Sequence, residues 1–267
     1  MIKLGSVFSG IGGFELGVER ALPQCKTIWQ VEEDTFCQSI LRKHWADAII
    51  YDDIRTVGAH NLESVDVLCG GFPCQDLSIA GKRRGINHGK KSNLYYEMFR
   101  VICELRPRIV VFENVSNITT MGGHDVCRTL ASAGYDAEWC TIRTGADFGL
   151  PHIRRRWFCV AYTNGIDKLR TKGCRMLASS QDMQPHFGSQ SSTNGGCNTR
   201  TGNRSKSSPP PAVCRMDDGI SAGMDRAMHN RIRKQRLKAL GNAITPQASE
   251  WIGKQILHSG LLDDLIQ

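Results

Sequence analysis

The chain predicts an α/β protein: a Rossmann-like, doubly wound, mostly parallel sheet with helices on both faces and a small loop-rich lobe. Three observations predict it. Over about the first 160 residues, short apolar runs alternate with longer amphipathic ones, as strands do with crossover helices. Polar or glycine-rich segments follow several of these runs, where such a sheet carries its ligand loops. After Tyr162 the periodicity stops.

In order, residues 2–8 read as a strand, 14–21 as a helix, 26–31 as a strand and 35–44 as a helix. Residues 65–69, 109–112 and 156–161 continue the strands, and 95–105 and 126–133 the helices. Val65, Val67 and Leu68 lead into Gly70-Gly71-Phe72-Pro73-Cys74-Gln75; Ile109, Val110 and Val111 lead into Phe112-Glu113-Asn114-Val115. Each run reads as a buried strand with a polar, reactive tip. Residues 163–213 are rich in Ser, Gly, Asn, Thr and Gln and end in Pro209-Pro210-Pro211, which predicts a loop-rich or partly disordered lobe. A helical pattern returns near Arg226 and runs through Gly241-Asn242-Ala243-Ile244-Thr245-Pro246 into 248–256. The expected division is 1–162 as a catalytic and cofactor domain, 163–225 as a small recognition lobe, and 226–267 as a helical segment packing back on the first.

With 40% hydrophobic and 22% charged residues, this is the composition of an ordinary globular protein. No apolar run reaches membrane-span length and no signal peptide opens the chain, so a cytoplasmic location is expected. Eleven cysteines contain no CxxC pair. Cys69, Cys103 and Cys159 sit in apolar runs, where the thiol acts as a small hydrophobe, so reduced core thiols are expected. Cys174, Cys197, Cys214 and His186 are too irregularly spaced for a zinc site, and no metal is expected. The net charge of +8 is uneven: +1 over residues 1–163, +9 over 164–240 and −2 over 241–267. A near-neutral half joined to a basic segment fits a polyanionic partner, although a solvated basic loop has the same composition.

Proline fixes its own φ and biases its neighbour toward extended backbone, so Cys74 is expected to be held rigidly and exposed. A thiol with a carboxylic acid partner suits covalent addition to an electron-poor ring better than hydrolysis. Pro73-Cys74-Gln75 and Glu113-Asn114-Val115 resemble the nucleophile and glutamate motifs of the cytosine-C5 DNA methyltransferases. Val7-Phe8-Ser9-Gly10-Ile11-Gly12-Gly13-Phe14-Glu15 resembles that family's cofactor loop, and Gly241 to Pro246 its closing motif. Four ordered blocks at family spacing make a specific match across most of the chain; about 164–225 is unmatched.

The glycine loop follows a strand and opens a helix, so backbone N–H groups can approach a ligand there, and its spacing departs from the dinucleotide GxGxxG. An acid at the end of the second strand commonly accepts from ribose hydroxyls; the resemblance gives that role to Glu32, with Glu33 adjacent. It also implies cofactor contacts from Phe8, Ser9, Gly10, Gly12, Gly13 and Asn242, an adenine contact at Asp53-Ile54 and an apolar wall at Leu94. The cofactor implied is S-adenosylmethionine, whose sulfonium needs no phosphate-binding lysine.

The implied chemistry starts with Cys74 adding to C6 of cytosine, which makes C5 nucleophilic toward the sulfonium methyl. Glu113 is expected to meet N3 and the exocyclic amine; its bland alternative is a helix-capping carboxylate. Pro151-His152-Ile153-Arg154-Arg155-Arg156 resembles the family's Gln-x-Arg-x-Arg block, with His152 in place of glutamine. Arg154 and Arg156 alternate on a strand and face one side, one for the cytosine O2 and the other for phosphates. Reaching a base in double-stranded DNA requires flipping it out. Glycines and cations across 75–93 suggest a loop that closes over DNA. The short lobe suggests a compact, phage-type member, a monomer, possessing only a remnant of the ninth family block near 215–226. An RNA methyltransferase on the same scaffold and a catalytically dead DNA-binding homologue are the alternatives.

Overall fold

The computed structural model describes residues 1–73, 93–150, 154–163 and 226–266. The chain divides into two compact units, Met1–Pro185 with Lys238–Gln267, and His186–Leu237. The sheet, both cores and the cavity belong to the first unit; of the described residues, 226–237 fall in the second. Cys74, the segment 75–92, residues 151–153 and 164–225, with the cysteines and His186 considered for zinc, lie outside the described residues.

Seven strands among the described residues form one sheet in the order β3-β2-β1-β4-β5-β7-β6. They are β1 Ile2–Val7, β2 Cys25–Val31, β3 Ile49–Tyr51, β4 Val67–Gly70, β5 Ile109–Val115, β6 Tyr135–Arg143 and β7 Arg155–Thr163. β3 through β5 are mutually parallel, and β7 runs antiparallel between β5 and β6. This is the expected doubly wound, mostly parallel α/β sheet. The helices are α1 Gly13–Ala21, α2 Thr35–His44, α3 Asn93–Leu105, α4 Ile118–Met121, α5 Gly123–Ser132, α6 Thr144–Phe148, α7 Arg226–Asn242, α8 Pro246–Ser259 and α9 Asp263–Ile266, with a 3-10 turn at Ile54–Thr56.

Alternating strand residues feed two cores. Val7, Trp29, Leu68, Val110 and Phe112 meet Tyr95, Met98 and Ile102 of α3 and Val126 and Leu130 of α5. Ile2, Leu4, Val67, Cys69, Ile109 and Val111 meet Phe14 and Val18 of α1 and Ala248, Ile252 and Ile256 of α8. Each large side chain so buried contributes roughly 1.5–3 kcal/mol before chain entropy is deducted. α8 lies against α1 because Gly17 carries no side chain: a Cβ there would stand 2.0 Å from Ser249 Oγ and 2.4 Å from the Pro246 carbonyl.

Several expectations need correction. Glu113 is not a strand tip. β5 runs on to Val115 because Glu113, Asn114 and Val115 pair with Phe158, Trp157 and Arg156 of β7. Its parallel neighbour β4 stops opposite Phe112, so Glu113 stands just beyond that edge. β3 and β6 are additions to the expected strands. β3 has only three residues, and β6 is an edge strand whose burial does not alternate, leaving Trp139 exposed. The helix expected through the closing motif is two helices, α7 and α8, broken at 243–245 ahead of Pro246, which stands at the start of α8. Cys69 and Cys159 are buried thiols, but Cys103 is exposed on α3. Among the described residues no group of His, Cys, Asp and Glu could hold a metal, and no helix is long and apolar enough to cross a membrane.

Candidate active site

A cavity of about 340 Å³ opens at the carboxyl ends of the parallel strands. It is lined by Phe8, Gly10, Glu32, Asp53, Ile54 and Leu94 on one side and by Glu113, Arg154 and Arg156 on the other, with Asn242 at the end of α7. Ten of the expected site residues therefore share one cavity. Ser9, Gly12 and Gly13 are not in its lining, and Cys74 lies outside the described residues. The described chain reaches Pro73, which does line the cavity.

The turn after β1 is made of left-handed backbone at Phe8 (φ 56°), Gly10 (φ 57°) and Gly12 (φ 83°). For a bulky residue such as Phe8 this conformation costs on the order of 1–3 kcal/mol and persists only where the surroundings impose it. Gly12 and Gly13 answer to packing. A Cβ on Gly12 would run into Trp45, and one on Gly13 would stand 2.1 Å from the Ile244 carbonyl. Ser9 is buried and its hydroxyl donates to Ser6 Oγ at 2.9 Å.

Glu32 ties this turn to the end of β2. Its Oε2 accepts from Gly10 N at 2.7 Å and its Oε1 from Asp34 N at 2.8 Å. Burial raises its pKa above the usual carboxylate range despite those two bonds. Each oxygen keeps a second lone pair, so Glu32 can still accept from hydroxyls in the cavity. Glu33 also lines the cavity, but is exposed. Asp34 caps α2 through Phe36 N and takes an ion pair from Lys238 of α7 at 2.8 Å. Lys238, another lining residue, could not be found from sequence: it sits about two hundred positions from its partner.

At the other side, burial pushes the Glu113 carboxyl up, against the opposing pull of Arg156 and Arg154. Arg156 Nε stands 2.7 Å from Glu113 Oε1. That N–H is not aligned for a hydrogen bond, and Oε1 has no aligned donor among the described residues. Gly71 leaves room for the carboxylate, since a Cβ there would stand 2.9 Å from Oε2. Arg154 donates from Nη1 to the Gly241 carbonyl at 2.7 Å, and its buried Nε has no partner among the described residues. Asn114 is a residue that sequence reasoning quoted without a role. Its Nδ2 donates to the Phe72 carbonyl at 3.1 Å and so pins the backbone just before Pro73. A carboxyl inclined to hold a proton, flanked by two guanidiniums, suits a flat heterocycle bearing ring nitrogen and carbonyl oxygen.

Sheet order, glycine turn and strand-end acid define a Rossmann-like α/β fold. The S. pombe Dnmt2 methyltransferase superposes with a TM-score of 0.53 at 18% identity, over 69% of this chain and 59% of that one. Entamoeba histolytica methyltransferase EhMeth superposes at 0.54 and 19%, over 62% and 54%. The family model for C-5 cytosine-specific DNA methylases matches residues 2–204, and the chain belongs to that family. It is 32% identical over 172 residues to the Type II methyltransferase M.Bsp6I of Bacillus sp. (strain RFL6), covering 61% of this chain and 53% of that one. With M.HhaI of Haemophilus parahaemolyticus the identity is 26% over 169 residues, covering 62% and 50%. The chain spans about half the length of the curated relatives it matches.

Proposed function

We propose that the chain is a DNA cytosine-C5 methyltransferase, which moves a methyl group from S-adenosylmethionine to C5 of a cytosine flipped out of double-stranded DNA. One observation carries the reading. The acid that braces the glycine turn, Glu32, and the protonatable Glu113 with its two arginines line the same cavity, one at either side. The residues fit the cofactor. Glu32, Glu33, Asp52 and Asp53 favour a cation and can accept from ribose hydroxyls, while Phe8, Ile54 and Leu94 offer apolar contact. Bound there, S-adenosylmethionine supplies the electrophilic methyl.

In this reading the Cys74 thiolate forms an S–C6 bond, and the displaced π electrons make C5 nucleophilic. Glu113 holds a proton toward N3 and offsets the charge that addition places on the ring. Arg156, and Arg154 once it leaves the Gly241 carbonyl, are placed for the cytosine O2 and the flanking phosphates. After C5 has taken the methyl, loss of the C5 proton expels the thiolate. Flipping the base costs roughly a few kcal/mol, offset by these contacts. The protein acts as a monomer, with 1–162 carrying the chemistry and 163–225 reading the DNA. Bisulfite sequencing of duplex DNA incubated with the protein and S-adenosylmethionine tests the proposal. Protected cytosines in one sequence context are expected, and none in the Cys74→Ser protein. Methyl transfer to RNA alone, or to neither, would overturn it.

A further inference from the structure

Beneath the glycine turn lies a polar cluster that the proposed chemistry does not use. Glu15, on the first turn of α1, and Gln30 of β2 are both fully buried. Gln30 Nε2 donates to Glu15 Oε1 at 3.0 Å. The other oxygen of each group, Glu15 Oε2 and Gln30 Oε1, is buried with no hydrogen-bond partner among the described residues. A charged carboxylate left so would cost several kcal/mol. Three acceptor oxygens therefore face the one amide nitrogen of Gln30, and a proton on Oε2 supplies a donor between the two unpartnered oxygens.

The surroundings offer Glu15 no cation. Ser6 and Ser9 stand beside it from β1 and the turn, and Cys69 from β4 has a thiol that burial pushes well up. Glu19, one turn on, is held by Thr27 and Trp45. α8 presents Ser249, bonded to the Gly13 carbonyl, while its Glu250 and Lys254 pair with each other. Burial raises the Glu15 pKa, outweighing the opposing pull of its own backbone N–H and of the Ser6, Gln30 and Ser9 side chains.

We propose that Glu15 is a positioning residue for the cofactor site, a neutral acid that donates Oε2–H to Gln30 Oε1 while accepting Gln30 Nε2–H at Oε1. The reciprocal pair joins the first turn of α1, just past the glycine turn, to β2 two residues before Glu32. It holds the two halves of the cofactor pocket in register. A neutral Glu15 also leaves the positive end of α1 uncancelled for an anionic group on the ligand. The effect on the cofactor rests on the function proposed above; the protonation state does not.

Two measurements separate them. Infrared difference spectra of the unliganded protein, wild type minus Glu15→Gln at neutral pH, should show the carbonyl stretch of a neutral carboxylic acid. In the wild type that band should fade as pH is raised. A carboxylate band in its place would overturn the proposal. In calorimetry, Glu15→Ala should weaken S-adenosylmethionine binding about tenfold or more, as loss of a buried hydrogen-bonded pair does. Glu15→Gln, whose amide can form the same reciprocal pair, should recover most of that loss. Equal binding by wild type and Glu15→Ala would overturn the positioning role. If the wild type binds no S-adenosylmethionine, the cofactor reading fails while the infrared band still decides the state of Glu15.

Discussion

Glu32 is asked to do two things at once, and its replacement should show both. Glu32→Ala removes acceptors for Gly10 N and Asp34 N as well as for the proposed ribose. Each hydrogen bond to a charged group is worth about 1.5–3 kcal/mol. Calorimetry should therefore find S-adenosylmethionine affinity at least about tenfold lower. A loss in Glu33→Ala instead would place the contact one residue on. Asn114→Ala leaves the buried Phe72 carbonyl without its donor at a cost of about 1–3 kcal/mol, read as a lower midpoint in urea. Because that carbonyl precedes Cys74 by two residues, the variant should lose more in kcat than in KM for S-adenosylmethionine. The reverse pattern would remove Asn114 from the support of the proposed nucleophile. These two residues also mark the reach of sequence reading. Glu32 stood out by following an apolar strand, whereas the bond from Asn114 crosses between neighbouring strands and left no signal in the motif.

At the scale of elements, the glycine turn and its cavity depend on α8 closing the face of the sheet that α1 half covers. Gly17→Leu must push α8 away, since even a Cβ clashes with Ser249 and Pro246. The Phe14, Val18 and Ile252 packing goes with it, and overpacking of this kind typically costs about 1–3 kcal/mol or more. Denaturant unfolding should show that loss, and an unchanged midpoint would mean the helices do not pack as described. β1, β2, α1, α2 and β5 were legible because each carries a period of two or 3.6, or an unbroken apolar run. In the structure α2 is capped by Asp34 and carries Arg42, Lys43 and His44 in its last turn. β6 was not legible, because an edge strand with Trp139 exposed has no buried face to write into its sequence. The buried pair of Glu15 and Gln30 was equally hidden, since the two partners lie fifteen residues apart on different elements.

For the whole molecule, three carboxyls raised by burial should make stability fall as pH rises above the ordinary carboxylate range. Asp34 and Glu104, held low by Lys238 and Arg100, act only below it. Glu15, Glu32 and Glu113 all hold their protons more tightly folded than unfolded. The native state thus binds more protons, and its stability declines from the ordinary carboxylate range upward through the raised values. Glu15→Gln should flatten that decline in pH-dependent melts, and an unaltered slope would count against a neutral Glu15. DNA affinity should be governed elsewhere, by residues 164–240 with their balance of +9. Neutralising Lys168, Arg170 and Lys172 should make the slope of log affinity against log salt shallower by about 0.9 for each phosphate no longer neutralised. Cofactor affinity should stay put. The central claim, a covalent adduct made by Cys74, is tested most directly with duplex DNA carrying 5-fluorocytosine at the methylated site and S-adenosylmethionine in excess. Fluorine cannot leave as a proton does, so the enzyme should be trapped, with mass spectrometry finding methylated 5-fluorocytosine on the peptide that contains Cys74. Release of unmodified DNA by an enzyme active on ordinary cytosine, or an adduct on another residue, would contradict it.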